Sequence, residues 1–221
     1  MFLRVVSVFS TMQCEGSKSG TPATFVRLSG CNLWSGHELL REKGKGVCAN
    51  WCDTFFAKGK KYSVEELIQS IRKLSIKQKR KLVVITGGEP MLQLSKKSGI
   101  YLVKKLLEEE YYVAIETNGT IDGEVIDILY DHPKGHITMS PKPLKSNPTC
   151  LNHIVVRRGT DLKIVYPTEF NTKDLEKWNF DNFYLQPKAE KDKDHTWAAI
   201  HEAARIGWNV SVQLHKYLGL E

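Results

Sequence analysis

The spacing of apolar residues along the chain predicts strands and helices in alternation. Residues 81–86 form a nearly uninterrupted apolar run, which is typical of a strand covered on both faces. After Ser63 the apolar residues recur at helical spacing, and Ser63 with Glu66 matches the capping-box pattern of a helix start. Similar patterns predict further strands at 2–9, 24–29, 113–116, 136–140, 162–165, 183–186 and 209–213, and helices at 100–110, 124–130, 173–178 and 195–206.

This alternation predicts an α/β fold. Strands that alternate with helices build a mostly parallel sheet with right-handed crossovers. The alternating series has about six strands in a chain of 221 residues, whereas a complete eight-fold barrel needs about 250 residues. We therefore predict a partial, incomplete β/α barrel with an N-terminal strand pair, folded as a single domain over residues 1–221. The stretch at about 30–62 is longer than ordinary loops, so we expect it to be functional.

Charge and composition narrow the class of protein. The formal charge is +7, from 32 Lys and Arg against 25 Asp and Glu. The excess lies in short lysine clusters without a nucleic-acid-binding signature, so we expect a solvated surface and no direct nucleic-acid partner. No apolar run approaches the ~20 residues that span a bilayer. The chain start resembles a strand rather than a signal peptide, so we expect no membrane association and a cytoplasmic location.

Small and polar residues follow five of the predicted strands. They are at 30–31, 87–90, 117–119, 141–143 and 187–188. In parallel α/β folds the chemistry lies at the carboxyl ends of the strands. Five such ends together predict one site lined by several loops.

Three of the five cysteines lie in or beside the long irregular stretch. Cys31, Cys48 and Cys52 are separated by sixteen and three residues. Thiolates prefer soft or borderline metals, so zinc and an iron–sulfur cluster are both candidates. Zinc would take His37 as a fourth ligand, whereas a cube held by three thiolates would leave one iron open. The spacing leaves both possibilities open.

The motif Thr86–Pro90, TGGEP, is the second chemical signal. Two glycines directly after a buried strand let the backbone approach a ligand closely. Together with the cysteine triplet, in which Trp51 precedes the last member, this motif resembles the radical S-adenosylmethionine (SAM) superfamily. More narrowly, seven stretches of the chain resemble, in chain order, the 7-carboxy-7-deazaguanine synthase family of the queuosine pathway. They are FSTMQCEG (9–16), FVRLSGCNLW (25–34), CDT (52–54), ETNG (116–119), SPK (140–142), QP (186–187) and HKYLG (215–219).

The resemblance implies a lyase that performs radical chemistry with bound cofactors. Cys31, Cys48 and Cys52 would hold a [4Fe–4S] cluster, with S-adenosylmethionine on its fourth iron. Reduction by an external donor, such as flavodoxin, would yield a 5′-deoxyadenosyl radical. That radical would start ring contraction of 6-carboxy-5,6,7,8-tetrahydropterin to 7-carboxy-7-deazaguanine, with loss of ammonia, in a homodimeric enzyme. The implied S-adenosylmethionine-binding residues are Gly88, Glu89, Ser140, Pro141, Lys142, Gln186, Pro187, Lys188 and Ala189.

The resemblance also implies a pterin site and a Mg²⁺ site. Arg27 suits the substrate carboxylate because a guanidinium forms bidentate pairs. Thr54 is implied as a Mg²⁺ ligand, with the substrate and water completing the site. The remaining implied substrate-binding residues are Met12, Gln13, Cys14, Glu15, Thr86, Glu116, Asn118 and Glu221.

The chain departs from the family pattern at three places. The interval from Cys48 to Cys52 is one residue longer than usual, Cys14 stands where relatives have glycine, and Glu221 stands where relatives can end in proline. Two alternatives remain from the residues themselves. An activase of glycyl-radical enzymes would share the cluster and the TGGEP motif. A zinc-binding module for RNA would use the three cysteines with His37.

Overall fold

A computed structural model describes residues 1–37, 46–50, 52, 54–190 and 193–220. The strands in this part of the chain are β1 (Phe2–Met12), β2 (Pro22–Leu28), β3 (Lys60–Ser63), β4 (Leu82–Gly87), β5 (Tyr112–Thr117), β6 (Gly135–Met139), β7 (Arg158–Tyr166), β8 (Asn179–Pro187), β9 (Ala189–Glu190), β10 (Lys193–Asp194) and β11 (Asn209–Val210). The helices are α1 (Val64–Ser75), α2 (Met91–Leu94), α3 (Lys97–Glu108), α4 (Glu124–Asp131), α5 (Thr172–Leu175), α6 (Thr196–Ile206) and α7 (Leu214–Leu218). None of the described helices is long and apolar enough to cross a membrane.

Nine of these strands form one sheet in the order β11-β8-β7-β6-β5-β4-β2-β1-β3. The seven strands from β11 to β2 run parallel to one another, while β1 pairs antiparallel with both β2 and β3. Within the described residues no ladder joins β3 to β11, so the sheet stays open. The predicted α/β class, the mostly parallel sheet and the N-terminal strand pair are confirmed.

The two faces of the sheet have different side chains because successive residues of a strand point to opposite sides. One face carries residues such as Val83, Ile85 and Ile115, which pack in the main core with α1, α3 and α4. On the other face, Val84 belongs to a small apolar cluster near the strand starts. We call this second face, which carries Val84, the inner face of the sheet. Two residues further along the strands the inner face becomes polar, and its polar layer includes Arg27, Thr86, Glu116, Thr138 and Lys163.

The capping box predicted at Ser63 is confirmed. The Glu66 amide donates to Ser63 Oγ at 3.1 Å, and the Ser63 amide donates to Glu66 Oε2 at 2.8 Å. The two bonds satisfy donors that a helix start otherwise leaves without partners. They fix the start of α1 directly after β3.

Several element boundaries differ from the sequence prediction. β3 begins inside the stretch at 30–62 that showed no regular pattern and ends at Ser63, and it was not predicted because this edge strand is largely polar. β7 begins four residues before the predicted 162, since the inward Asp161 and Lys163 interrupt its apolar pattern. β11 ends at Val210 rather than 213. The short helices α2 and α7 were not predicted at all.

Candidate active site

A cavity of about 610 Å³ opens at the carboxyl ends of the parallel strands. This volume is typical of a small-molecule site. Five consecutive strands of the sheet each contribute a polar residue to it, namely Thr86, Glu116, Thr138, Lys163 and Gln186. The structure brings most of the predicted site residues to its wall, since the lining also includes Cys31, Cys48, Cys52, Thr54, Gly88, Asn118, Ser140, Lys142, Pro187, Lys188 and Ala189.

The three cysteines Cys31, Cys48 and Cys52 all line this cavity and are all half-buried. Burial raises the pKa of the Cys31 thiol, and the nearby Cys52 adds to the rise. Among the described residues, His37 included, no group of three or more His, Cys, Asp or Glu side chains converges on one metal ion. A tetrahedral zinc would need sulfurs roughly 4 Å apart. Three cysteines on the wall of one cavity are a donor set that fits a cluster, in which each thiolate binds a different iron.

Cys31 is fixed by close contact between two backbone segments. It lies three residues after the end of β2, and the Glu89 amide donates to Gly30 O at 2.8 Å. A Cβ at Gly88 would lie 2.3 Å from Gly30 O and 2.8 Å from Cys31 Cβ. Only glycine tolerates this approach. The glycine pair therefore supports the first cysteine as well as lining the cavity.

Cys48 is fixed by the loop that follows β6. The Ala49 amide donates to Pro143 O at 2.8 Å, and the Lys145 amide donates to Val47 O at 2.9 Å. These bonds hold Cys48 near Lys142 of the same loop. Burial lowers the pKa of the Lys142 ammonium, and Lys163 lowers it further, whereas the Cys48 thiol acts in the opposite direction. A half-buried lysine therefore lies beside Cys48 and Cys52.

Lys142 is oriented by the end of β6 rather than by a carboxylate. Its Nζ donates to Ser140 Oγ at 2.7 Å. Ser140 itself is held by a backbone bond of 2.8 Å to Thr117 O at the end of β5. The SPK segment is thus built into the strand ends that form the cavity.

Glu89 lies beneath the cavity wall rather than in it, with only 1% of its surface exposed. Its carboxylate accepts bonds from Thr117 Oγ1 at 2.8 Å and from the Asn118 amide at 2.6 Å. Burial raises its pKa despite these bonds. The Asn118 side chain in turn donates to Asn32 Oδ1 at 3.1 Å. Glu89 thus holds the end of β5 against the cysteine loop. Pro141 is also buried and does not line the cavity.

Three of the predicted substrate-binding residues form one hydrogen-bonded group on the inner face. Gln13 Nε2 donates to Glu116 Oε1 at 3.0 Å, and Thr86 Oγ1 donates to Glu116 Oε2 at 2.9 Å. Gln13 Oε1 accepts from the Cys14 amide at 2.8 Å. The buried Cys14 thiol donates to Met12 O at 3.2 Å. The loop after β1 thus lies across the sheet and reaches β5.

Glu15 extends the same loop to β7, where it forms an ion pair with Lys163. Gln213 Nε2 also donates to its carboxylate, at 2.9 Å. Burial alone would raise the pKa of Glu15, but the Lys163 charge and these hydrogen bonds hold it at about 2. Lys163 was missed by the sequence analysis, although a lysine inside a strand covered on both faces is an unusual signal that could have identified it.

Arg27 lies on the inner face of β2, opposite Thr86 in the register, and is not part of the cavity lining. Its guanidinium carbon lies 5.4 Å from the centre of the Phe9 ring. Its Nε is buried without a hydrogen-bond partner among the described residues. A buried donor of this kind is costly unless a ligand completes it, so Arg27 is suited to an anion. Glu221 lies outside the described residues.

Comparisons with known proteins agree with this geometry. The sequence pattern of the Radical SAM superfamily matches residues 46–165. The 7-carboxy-7-deazaguanine synthases of Caulobacter vibrioides and Burkholderia multivorans are 35% and 36% identical to the chain, and in both cases the match covers 100% of both sequences. The crystal structure of QueE from Escherichia coli covers 96% of this chain and 94% of its own, with a TM-score of 0.68 and 24% identity, and so shares the fold. The chain therefore belongs to the 7-carboxy-7-deazaguanine synthase family within the radical SAM superfamily.

Proposed function

We propose that this protein converts 6-carboxy-5,6,7,8-tetrahydropterin into 7-carboxy-7-deazaguanine with release of ammonia. The observation that carries the proposal is the single cavity that joins the three cysteines, the TGGEP turn and a polar inner face. The end-to-end similarity to enzymes named for this product supports it. Neither an activase nor a zinc module would require a polar pocket of this composition beside the cysteines.

The cofactors of the radical SAM superfamily, a [4Fe–4S] cluster and S-adenosylmethionine, fit the donor set of this cavity. We assign the cluster to Cys31, Cys48 and Cys52. When bound, the reduced cluster and S-adenosylmethionine supply the radical that takes a hydrogen atom from the substrate. Around the S-adenosylmethionine we place Gly88, Ser140, Lys142, Gln186, Pro187, Lys188 and Ala189, all of which line the cavity. Glu89 and Pro141 act from behind this wall as supports.

The pterin is placed against the inner face of the sheet. We assign its carboxylate to Arg27, whose guanidinium can form two parallel bonds and whose buried Nε has no hydrogen-bond partner among the described residues. We assign the polar edge of the pterin ring to the loop at Met12, Gln13, Cys14 and Glu15. Thr86, Glu116 and Asn118 line the cavity in which the ring would lie. Because Lys163 holds Glu15 ionised, this loop keeps its contacts at neutral pH.

Further parts of the proposal rest on the family resemblance. A cluster of this kind needs an external one-electron reductant, which we infer to be flavodoxin or a similar carrier. We also infer a homodimer, a single domain over residues 1–221 and a cytoplasmic location, where the cluster is protected by reducing conditions. From the same resemblance we infer that Glu221 contacts the substrate.

The function is tested by an anaerobic assay of the reconstituted protein with the pterin, S-adenosylmethionine and a reductant. We expect a brown protein that forms 7-carboxy-7-deazaguanine, identified by mass. A brown protein that cleaves S-adenosylmethionine but leaves the pterin unchanged would favour the activase. A colourless protein with one bound zinc per chain would refute both radical functions.

Replacing Gly88 with alanine should impair cluster binding. The added Cβ would collide with Gly30 O and with Cys31 Cβ, so the start of the cysteine loop must move, at a cost of about 1–3 kcal/mol. We expect less iron per chain after reconstitution, measured by metal analysis and visible absorption. Gly207→Ala is the control, because a Cβ there meets nothing within 4 Å while its φ of +79° strains the backbone, so iron lost through general destabilisation would appear in this variant as well. Wild-type iron in Gly88→Ala would contradict this support.

Replacing Arg27 with alanine should weaken pterin binding more than S-adenosylmethionine binding. Loss of a charge-assisted pair predicts about a tenfold to hundredfold rise in the pterin dissociation constant. Arg27→Lys should lie between the two proteins, since lysine keeps the charge but not the planar fork. Both dissociation constants can be measured by titration under anaerobic conditions. Equal losses for the two ligands would rule out the carboxylate role.

Replacing Thr54 with alanine should lower turnover while the cluster stays intact. Thr54 lines the cavity beside Cys52, and its hydroxyl offers the kind of oxygen that Mg²⁺ accepts when the substrate and water supply the rest. We expect Mg²⁺ to stimulate the wild type and Thr54→Ser, but not Thr54→Ala. The measurement is the rate of product formation against Mg²⁺ concentration at constant iron content. A wild type insensitive to Mg²⁺ would refute the assignment.

A further inference from the structure

We propose that Asp161 is a positioning residue that locks the loop formed by residues 13–17 (the 13–17 loop) over the inner face of the sheet and thereby sets the affinity for the pterin. This inference rests on the proposed function for its substrate. It concerns a residue that does not line the cavity.

Asp161 lies on β7 with its side chain 1% exposed. Its Oδ2 accepts bonds from both the amide and the hydroxyl of Ser17, each at 2.9 Å. Its Oδ1 accepts from Asn182 Nδ2 at 3.0 Å, and His136 Nε2 lies 3.3 Å from Oδ2. A buried carboxylate is costly unless it is hydrogen-bonded, and here donors from β6, β8 and the 13–17 loop converge on it.

Electrostatics agree with this geometry. Burial alone would raise the pKa of Asp161, but the bonds from His136 and Ser17 lower it overall. The carboxylate is therefore the charged acceptor that Ser17 needs at neutral pH. Charge-assisted bonds of this kind are roughly twice as strong as bonds between neutral groups.

The turn that brings Ser17 to Asp161 depends on Gly16. Its φ is +63°, and a Cβ there would lie 2.6 Å from Asp161 Oδ2. Its amide donates to the buried Ser211 Oγ at 3.0 Å, which links the turn to the segment after β11. A residue without a side chain is therefore required at position 16, where the loop meets the Asp161 carboxylate.

The 13–17 loop has two ends, and Asp161 holds only one of them. The other end continues from β1 at Met12. Between these ends lie Gln13 and Glu15, which bond Glu116 and Lys163 on the inner face. Release of Ser17 would leave this part of the chain with the Gly16–Ser211 and Gln213–Glu15 bonds on that side, so we expect it to be held less firmly against the pterin. The cysteines and the TGGEP turn are held by other backbone bonds, so they should be unaffected.

The test compares Asp161→Asn with the wild type. The asparagine keeps the size of the side chain but loses the charge and one acceptor oxygen. We expect the pterin KM to rise about tenfold, with kcat, iron content and S-adenosylmethionine affinity near wild type. In ligand-free protein, amide hydrogen exchange at Ser17 should also accelerate, and this readout does not depend on which substrate is used.

Asp127→Asn is the matched control. Asp127 on α4 pairs with Arg158 of the same strand, β7, at 2.6 Å, but at an exposed position on the helix side. Asp127→Asn should leave both the pterin KM and amide exchange at Ser17 unchanged.

Ser17→Ala should raise the pterin KM by less than Asp161→Asn, because the amide of residue 17 still donates to the Asp161 carboxylate. Ser17→Thr keeps a hydroxyl and should restore part of the affinity that Ser17→Ala loses. If Asp161→Asn does not fold, the Ser17 pair carries the same test.

Two outcomes would overturn the inference. One is wild-type KM and wild-type exchange at Ser17 in Asp161→Asn. The other is a parallel loss of iron and S-adenosylmethionine binding, which would make Asp161 a general requirement of the fold. A wild type that neither binds nor converts the pterin would instead refute the proposed function, while the exchange comparison would still decide whether Asp161 anchors the loop.

Discussion

The architecture of the site depends on backbone contact between the ends of β2 and β4. These strands are parallel neighbours in register, so the chain leaves both at the same height. A Cβ at Gly87 would lie 2.1 Å from Leu28 O, and one at Gly88 would lie 2.3 Å from Gly30 O. Such an approach is possible only for glycine, and it fixes where the cysteine loop begins. The position of Cys31 is thus a property of sheet pairing rather than of the loop itself.

The charged side chains of Lys163 and Asp161 on the inner face of the sheet have partners within the protein. Lys163 is paired with Glu15, and Asp161 is satisfied by Ser17, His136 and Asn182. In a low-dielectric interior, a polar group with a hydrogen-bond partner costs little free energy, whereas one without a partner destabilises the fold. The buried Nε of Arg27 is left for a partner that the described residues do not supply. The substrate carboxylate that we propose would supply an acceptor for this donor.

The sequence predicted the strands and helices well where an apolar pattern ran without interruption, as in residues 81–86. It predicted β7 poorly because Asp161 and Lys163 break that pattern, and both matter to the candidate site. Their partners, Ser17 and Glu15, are about 145 residues away along the chain. Such pairs follow from strand order and register, which no local spacing contains. For Glu89 the opposite holds: the sequence identified its motif, but the structure shows that its carboxylate accepts hydrogen bonds from Thr117 and Asn118 and does not face the cavity.

The unusual cysteine interval follows from the same reasoning. Each cysteine lies within a few residues of a backbone bond to a strand-end loop: Gly30 accepts from Glu89, Ala49 donates to Pro143, and Phe56 accepts from Gly30. These bonds hold the chain at Ala49 and at Phe56, on either side of Cys52. An additional residue between two anchored points changes the path of the chain more than the places where it is held. Cys14, where the family resemblance implies glycine, is accommodated because its buried thiol donates to Met12 O while Gln13 keeps its bond to Glu116.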